Sequence, residues 1–252
     1  MDIFFREKGK GTPVVLIHGF CETHEVWNGF GDALAEDFHV FTIDLPGFGD
    51  SPLPKTPFTI DDIASQLLQW MKSKKIDNPV FIGHSLGGYV ILAIAALEPA
   101  FSSHLVLFHS SVYSDAPEKK ENRNKVIEFV KTHGVPAFIE TFVPSLFYVK
   151  DHKMLQRIKT MCLKTPLETL LNYTGAMRDR PDRQEVVIHK IENLLIISGL
   201  QDEIIPSAIA RKMASIKSDI QLVELPETGH MGMVESPALA LNAIKKFVNR
   251  KI

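Results

Sequence analysis

The junction at residues 80–97 constrains the fold of this chain more than any other feature. A Val-Phe-Ile run at 80–82 ends in the motif G-x-S-x-G, and a helical pattern follows at once. In this strand–turn–helix context, a sharp turn lifts the hydroxyl of Ser85 above the strand end. Strand and helix backbones approach closely across such a turn, so the residues two before and two after the serine must be small. Gly83 and Gly87 meet that demand. We therefore predict a nucleophile elbow rather than a glycine-rich helix start with a capping serine.

Two loops further along the chain carry the acid and the base that such a serine requires, in the expected order. Asp202 follows an apolar strand predicted at Leu194–Ser198, and His230 lies in a glycine-flanked loop after the next predicted strand. We predict that the Asp202 carboxylate orients His230. Glu203, beside it in the loop, and Asp115 stay open as alternative acids.

The third part of such a site is a pair of backbone amides that stabilise an oxyanion. One amide comes from the residue after the serine, here Leu86, and the second from a loop after an early strand. The sequence His-Gly-Phe at 18–20 follows a strand predicted at Pro13–Ile17, which favours Phe20 for the second amide. Two such amides stabilise a transition state by about 3 kcal/mol each.

Length, charge and composition restrict the class of protein to which this chain can belong. At 252 residues the chain fits one α/β domain with an insertion, and a net charge of −2 offers no basic surface for nucleic acid. No apolar run reaches about 18 residues, so no membrane span is expected. The start lacks a signal-peptide pattern, and Cys21 and Cys162 make no disulfide framework, so we expect a cytoplasmic protein. The histidines show no metal-ligand spacing; neither a metal nor a cofactor is expected.

Strand patterns alternate with helical patterns along most of the chain, which predicts a mostly parallel, doubly wound α/β sheet. Strands are predicted at Ile3–Arg6, Pro13–Ile17, His39–Ile43, Pro79–Ile82, Leu105–Phe108, Leu194–Ser198 and Gln221–Leu225. Helices are predicted at Trp27–Ala35, Ile60–Ser73, Gly88–Leu97, Pro206–Ser215 and Pro237–Asn249.

Residues 111–184 interrupt the alternation, because they hold helical segments and several prolines but no convincing strand. We predict a helical cap there, inserted before the last two strands, which divides the core into 1–110 and 185–252. The aromatic-rich stripe Phe138–Tyr148 is expected to be mainly a packing face, with a minority of its side chains lining an apolar acyl or alkyl pocket. The charged run Glu118–Lys125 is expected to be a solvated helix face.

Five motifs occur in the order in which the α/β-hydrolase fold superfamily carries them, and the chain resembles its serine esterase-like branch with a helical cap. They are His18-Gly19-Phe20, Asp44–Ser51, Gly83–Gly88, Gly199–Pro206 and Gly229-His230. The resemblance implies that Ser85 is the nucleophile, that His230 is the general base and then acid, and that Asp202 orients it. A serine at the elbow argues against haloalkane dehalogenases and epoxide hydrolases. The Ser-Gly-Gly-Pro-like loop of many carbon–carbon bond hydrolases is also absent.

These features predict a serine hydrolase that cleaves small, largely apolar carboxylic esters through an acyl-enzyme intermediate. Its expected partner is a small-molecule ester, without nucleic acid or membrane. We see no cationic cluster in the sequence that marks a carboxylate or phosphate pocket, so we expect neutral substrates. Two alternatives stay open: a triad-bearing ligand sensor or signalling protein of the same fold, and a carbon–carbon bond hydrolase.

Overall fold

A seven-stranded sheet forms the centre of the computed structural model, which describes residues 2–101 and 104–249. The strands are β1 (Phe5–Lys8), β2 (Pro13–Ile17), β3 (His39–Ile43), β4 (Val80–His84), β5 (His104–Phe108), β6 (Asn193–Gly199) and β7 (Gln221–Leu225). Their order in the sheet is β1-β3-β2-β4-β5-β6-β7. β1 is antiparallel to β3 and every other pair is parallel, which confirms the predicted mostly parallel sheet.

Helices cover both faces of this sheet, as a doubly wound architecture requires. They are α1 (Phe30–Leu34), α2 (Ile60–Ser73), α3 (Leu86–Leu97), α4 (Pro117–Ser145), α5 (Leu155–Cys162), α6 (Leu167–Asp179), α7 (Gln184–Lys190), α8 (Ser207–Ala214), α9 (Gly232–Glu235) and α10 (Pro237–Asn249). Short 3₁₀ helices lie at His24–Trp27 and Pro99–Phe101. Among the described residues, no helix combines the length and the apolarity needed to cross a bilayer.

Two predicted elements differ from the structure near the N-terminus. The first strand begins at Phe5, two residues later than predicted, because its pairing runs from Phe5 opposite Ile43 to Lys8 opposite Val40. The single helix predicted at Trp27–Ala35 is instead a 3₁₀ turn followed by α1. Gly29, whose φ of 82° is incompatible with a helix, separates the two.

Four helices, α4 to α7, are inserted between β5 and β6, which confirms the predicted insertion before the last two strands. α4 packs on α5 and α6, whereas α7 packs on α3 of the core. α4 is interrupted at Gly134, which has a φ of 80° and lies two residues before Pro136. The domain limits at residues 110 and 184 stay predictions.

The turn between β4 and α3 depends on two glycines. A Cβ atom on Gly83 would lie 2.5 Å from the carbonyl carbon of Gly87, and one on Gly87 would lie 2.3 Å from the carbonyl oxygen of Ile17. Between them Ser85 has a φ of 48° and a ψ of −108°, a conformation that non-glycine residues rarely adopt. The backbone approach therefore holds the half-buried serine in a strained turn.

We expect Gly87→Ala to lower the free energy of unfolding by at least about 2 kcal/mol, because the added methyl group overlaps the β2 backbone. Gly175→Ala is the matched control, since a Cβ at this position in α6 has no neighbour within 4 Å. It should be neutral or stabilising by up to about 1 kcal/mol. Urea unfolding followed by circular dichroism measures both. Equal stabilities for the two variants would contradict the close approach.

Candidate active site

The site lies at the carboxyl edge of the sheet, where loops after parallel strands converge. Ser85 follows β4, Asp202 follows β6 and His230 follows β7. Ser85 and His230 line one cavity of about 110 Å³. Its other lining residues are Phe20, Glu22, His84, Tyr89, Lys119, Arg123, Phe142, Leu146, Met177 and Ile204. A larger surface cleft of about 510 Å³ beside α2 and α6 contains none of the predicted site residues.

Asp202 is hydrogen-bonded to His230, as the sequence predicts. His230 Nδ1 lies 2.7 Å from Asp202 Oδ2, while Oδ1 accepts the backbone N–H groups of Ile204 and Ile205 at 2.8 and 2.9 Å. Burial alone would raise the pKa of Asp202, but its electrostatic interaction with His230 and the hydrogen bonds from His109 and His230 outweigh that effect. The pKa therefore lies well below its usual range, and the carboxylate is ionised.

The two alternative acids are placed elsewhere. Glu203 is exposed, and its carboxylate lies 3.8 Å from Lys150 Nζ. Asp115 is buried between two guanidinium groups, those of Arg180 at 2.8 Å and of Arg123. Neither carboxylate is hydrogen-bonded to the histidine after β7 in the described part of the chain.

A second histidine, missed in the sequence analysis, contacts the same acid. His109 Nδ1 lies 3.0 Å from Asp202 Oδ2, and its Nε2 accepts the N–H of Gly232 at 3.2 Å. Burial lowers the pKa of His109 to about 4, so the ring is neutral. We assign the proton to Nδ1, because that tautomer donates to the carboxylate. Its position in the sequence was the one signal that could have identified it, since His109 directly follows β5 at the carboxyl edge of the sheet.

His109, Asp202 and His230 also place one potential metal ligand each within 4.8 Å of one another. Both Nδ1 atoms are hydrogen-bonded to the same carboxylate oxygen. These hydrogen bonds account for the short distances without an ion. That the site works without a metal stays a prediction.

Beneath the serine lies a buried charge pair. His84 Nδ1 is 2.9 Å from Glu22 Oε2, and His84 Nε2 is 2.9 Å from the backbone carbonyl of His230. Only the doubly protonated ring can donate to both acceptors. Burial opposes the charge, but Glu22 and the carbonyl together raise the pKa of His84. Burial opposes ionisation of Glu22 as well, but His84 lowers its pKa.

This pair connects three loops of the site. Glu22 Oε2 also accepts the backbone N–H of Gly19 at 2.6 Å, in the loop that carries Phe20. His84 precedes the serine, and the carbonyl it binds belongs to His230. A Cβ on Gly19 would lie 2.6 Å from His84 Nδ1, so only glycine fits there. Sequence patterns gave no sign of the pair, because its members are far apart in the chain.

Some residues of the aromatic-rich stripe Phe138–Tyr148 line the cavity. Phe142 and Leu146 line it, while Ile139 and Phe147 are buried among other apolar side chains and Tyr148 is exposed. The Phe142 ring centroid lies 5.9 Å from that of Phe20. A minority of the stripe therefore lines the cavity, and most of it serves packing.

The charged run at 118–125 was predicted to be a solvated helix face, and the structure differs from this prediction. Lys119 and Arg123 line the cavity beside Ser85, so this face of α4 is not simply solvated. Two cations therefore line the pocket, although no cationic cluster was expected from the sequence. The four-residue spacing of the two cations on one helix was the signal that could have found them.

A family model described as "Alpha/beta hydrolase family" matches residues 14–244 of this chain. The chain belongs to this family. It is 29% identical over 230 residues to the dihydrolipoyllysine-residue acetyltransferase component of the acetoin cleaving system of Pseudomonas putida, covering 90% of this chain but only 60% of that relative. It is 26% identical over 258 residues to the 2-hydroxy-6-oxo-6-(2'-aminophenyl)hexa-2,4-dienoic acid hydrolase of Metapseudomonas resinovorans, covering 98% and 87% of the two chains.

Among solved structures, this α/β hydrolase is similar to a thermophilic esterase from Thermogutta terrifontis, solved with malate bound. The TM-score is 0.92 at 29% identity, over 98% of this chain and 93% of that one. The predicted superfamily and fold are thereby confirmed. The substrate is not identified by these similarities, since the relatives carry different activities on one fold.

Glu22→Gln should lower the free energy of unfolding by about 3 kcal/mol or more, because it leaves the buried His84 imidazolium unpaired. The matched control is Glu185→Gln in the exposed pair with His189, which should change stability little. The raised pKa of His84 makes its contribution complete below about pH 6.5 and lost as pH rises through the raised value. The lowered pKa of Glu22 makes its contribution complete above about pH 4.5 and lost as pH falls further.

The stability difference between wild type and Glu22→Gln should therefore be largest between these two pH values and shrink as pH rises through the raised pKa of His84. Urea unfolding over a pH series upward from pH 6 measures it. Equal stabilities of the two proteins at pH 6 would show that the pair is not ionised.

Proposed function

We propose that this chain is a serine hydrolase that cleaves small, largely apolar carboxylic esters through an acyl-enzyme intermediate. One observation carries the proposal. The strained turn presents Ser85 to the same cavity as His230, whose Nδ1 is hydrogen-bonded to the buried, ionised Asp202. This is the arrangement that activates a serine for nucleophilic attack.

The hydrogen bond to Asp202 determines what His230 can do. It holds the proton on Nδ1, so Nε2 is left as the proton acceptor of a ring that lines the cavity. Nε2 takes the proton from the Ser85 hydroxyl as its oxygen attacks the ester carbonyl. The ionised carboxylate stabilises the imidazolium that forms.

Two backbone amides are proposed to stabilise the oxyanion. Leu86 is the first residue of α3, where a helix leaves its N–H groups without intrahelical partners. Phe20 lines the cavity, and its loop is held by the hydrogen bond from the Gly19 N–H to Glu22. Fixed donors of this kind stabilise the developing negative charge without reorganisation.

The second half of the reaction reverses the proton path. The His230 imidazolium protonates the alcohol oxygen as the tetrahedral intermediate collapses, which releases the alcohol and leaves the acyl-enzyme. Nε2 then removes a proton from water as the water attacks the acyl carbonyl. The imidazolium returns that proton to the Ser85 oxygen as the bond to the acyl carbon breaks and the acid is released.

The cavity wall supports a small substrate with an apolar body. The residues that line this space of only about 110 Å³ include Phe20, Phe142, Leu146 and Met177. Each methylene buried there contributes up to about 0.8 kcal/mol. Activity should therefore rise with each methylene added to a short acyl chain. It should fall once the chain outgrows the space under the cap.

Carbon–carbon bond hydrolysis is a second candidate, favoured by the 26% identity over 98% of this chain to a dienoic acid hydrolase. The same serine, histidine and oxyanion amides serve an acyl transfer in which a carbanion leaves. Turnover of a vinylogous 1,5-diketone in preference to all esters of similar size would favour this second candidate.

Ser85→Ala should lose esterase turnover by about 10⁴-fold or more, because no other group can form the acyl-enzyme. Hydrolysis of 4-nitrophenyl butyrate measures turnover, and circular dichroism establishes that the variant is folded. Substantial turnover in a folded Ser85→Ala protein would refute the covalent mechanism.

The two neighbouring carboxylates of the loop after β6 should behave differently. Asp202→Asn should reduce kcat by about 10³–10⁴-fold, because an amide no longer holds the required tautomer of His230. Glu203→Gln is the matched control and should change kcat little, since Glu203 is exposed. The opposite ranking of the two variants would reassign the acid.

A further inference from the structure

Two cationic side chains of the cap form part of the wall of the catalytic cavity. Lys119 and Arg123 lie four residues apart on α4, so both point from the same helix face. They line the cavity together with Ser85 and His230. The mechanism described above uses neither of them.

Arg123 belongs to a cluster with excess positive charge. Its Nε atom donates to Asp115, the same carboxylate that Arg180 contacts at 2.8 Å. Arg180 also donates to the carbonyls of Met177 and Tyr113 at 2.6 and 2.9 Å. One buried carboxylate therefore serves two guanidinium groups. In the described part of the chain, the terminal Nη atoms of Arg123 have no protein acceptor.

Lys119 adds a second uncompensated charge. Within residues 2–101 and 104–249 no carboxylate lies within ion-pair distance of its ammonium group. The carboxylate that lines the cavity, Glu22, is already matched by the His84 imidazolium. The cavity wall thus combines apolar side chains with two cationic ones.

We propose that this cavity selects esters that carry a free carboxylate, bound by Lys119 and Arg123, on the acyl chain whose carbonyl meets Ser85. This proposal rests on the serine hydrolase function proposed above and narrows its substrate class. The planar fork of Arg123 matches a carboxylate, and a lysine ammonium adds a further charged donor. A space of about 110 Å³ that also holds the ester carbonyl favours a planar carboxylate over a bulkier tetrahedral phosphate.

The carboxylate lies away from the reacting carbonyl, so its contacts are equally strong in the ground state and the transition state. Such uniform binding lowers KM without raising kcat. A hydrogen bond to a charged group contributes enough to change KM by about 10-fold or more. Because Lys119 and Arg123 are partly exposed, added salt should weaken the preference.

The test compares two substrates with the same leaving group: mono-4-nitrophenyl glutarate, which carries a carboxylate, and 4-nitrophenyl hexanoate, which does not. We expect wild type to prefer the glutarate by at least 10-fold in kcat/KM, through KM. In Lys119→Gln this preference ratio should fall by about 10-fold. Lys120→Gln is the matched control, because Lys120 is exposed and does not line the cavity; its ratio should equal that of wild type.

The outcomes separate this inference from the proposed function. Hydrolysis of the hexanoate as fast as the glutarate, with the same ratio in Lys119→Gln, would overturn the carboxylate proposal and leave the esterase function standing. Preference for a phosphate-bearing ester of equal length would also overturn it. Cleavage of neither substrate by a folded protein would overturn both.

Discussion

The site depends on two close backbone approaches, of β4 to α3 at Gly83 and of α3 to β2 at Gly87. A single methyl group at either position would overlap backbone atoms, so the turn between them closes only with glycine. In this turn Ser85 has a φ of 48° and lines the cavity. The strain is sustained because the surrounding strands are buried and paired on both sides.

Buried histidines hold the remaining loops at fixed positions around this turn. Asp202 accepts hydrogen bonds from both His230 and His109, which ties the loops after β5, β6 and β7 together. The ionised pair of His84 and Glu22 ties the elbow to the loop after β2. The segment inserted between β5 and β6 takes part as well, since the carbonyl of Leu146 accepts the His230 N–H at 2.7 Å. Positioning by these contacts is the form of preorganisation that electrostatic catalysis requires.

Local patterns predicted the sheet, the elbow and the partner of His230, because each depends on residues adjacent in sequence or on a fixed order of motifs. Long-range contacts were not predictable in the same way. The pairing of His84 with Glu22 joins residues that only the fold brings together, and Lys119 and Arg123 looked like any solvated helix face. Gly29 broke a helix that hydrophobic periodicity alone would continue, since periodicity carries no information about a positive φ.

Labelling with a fluorophosphonate tests the central claim most directly, because the reagent forms a stable bond only with an activated nucleophile. Intact-protein mass spectrometry should show one adduct per chain, and peptide mapping should place it on Ser85. The adduct should be absent from Ser85→Ala and should form much more slowly in Asp202→Asn. An adduct on another residue, or esterase activity that survives complete labelling, would contradict the account.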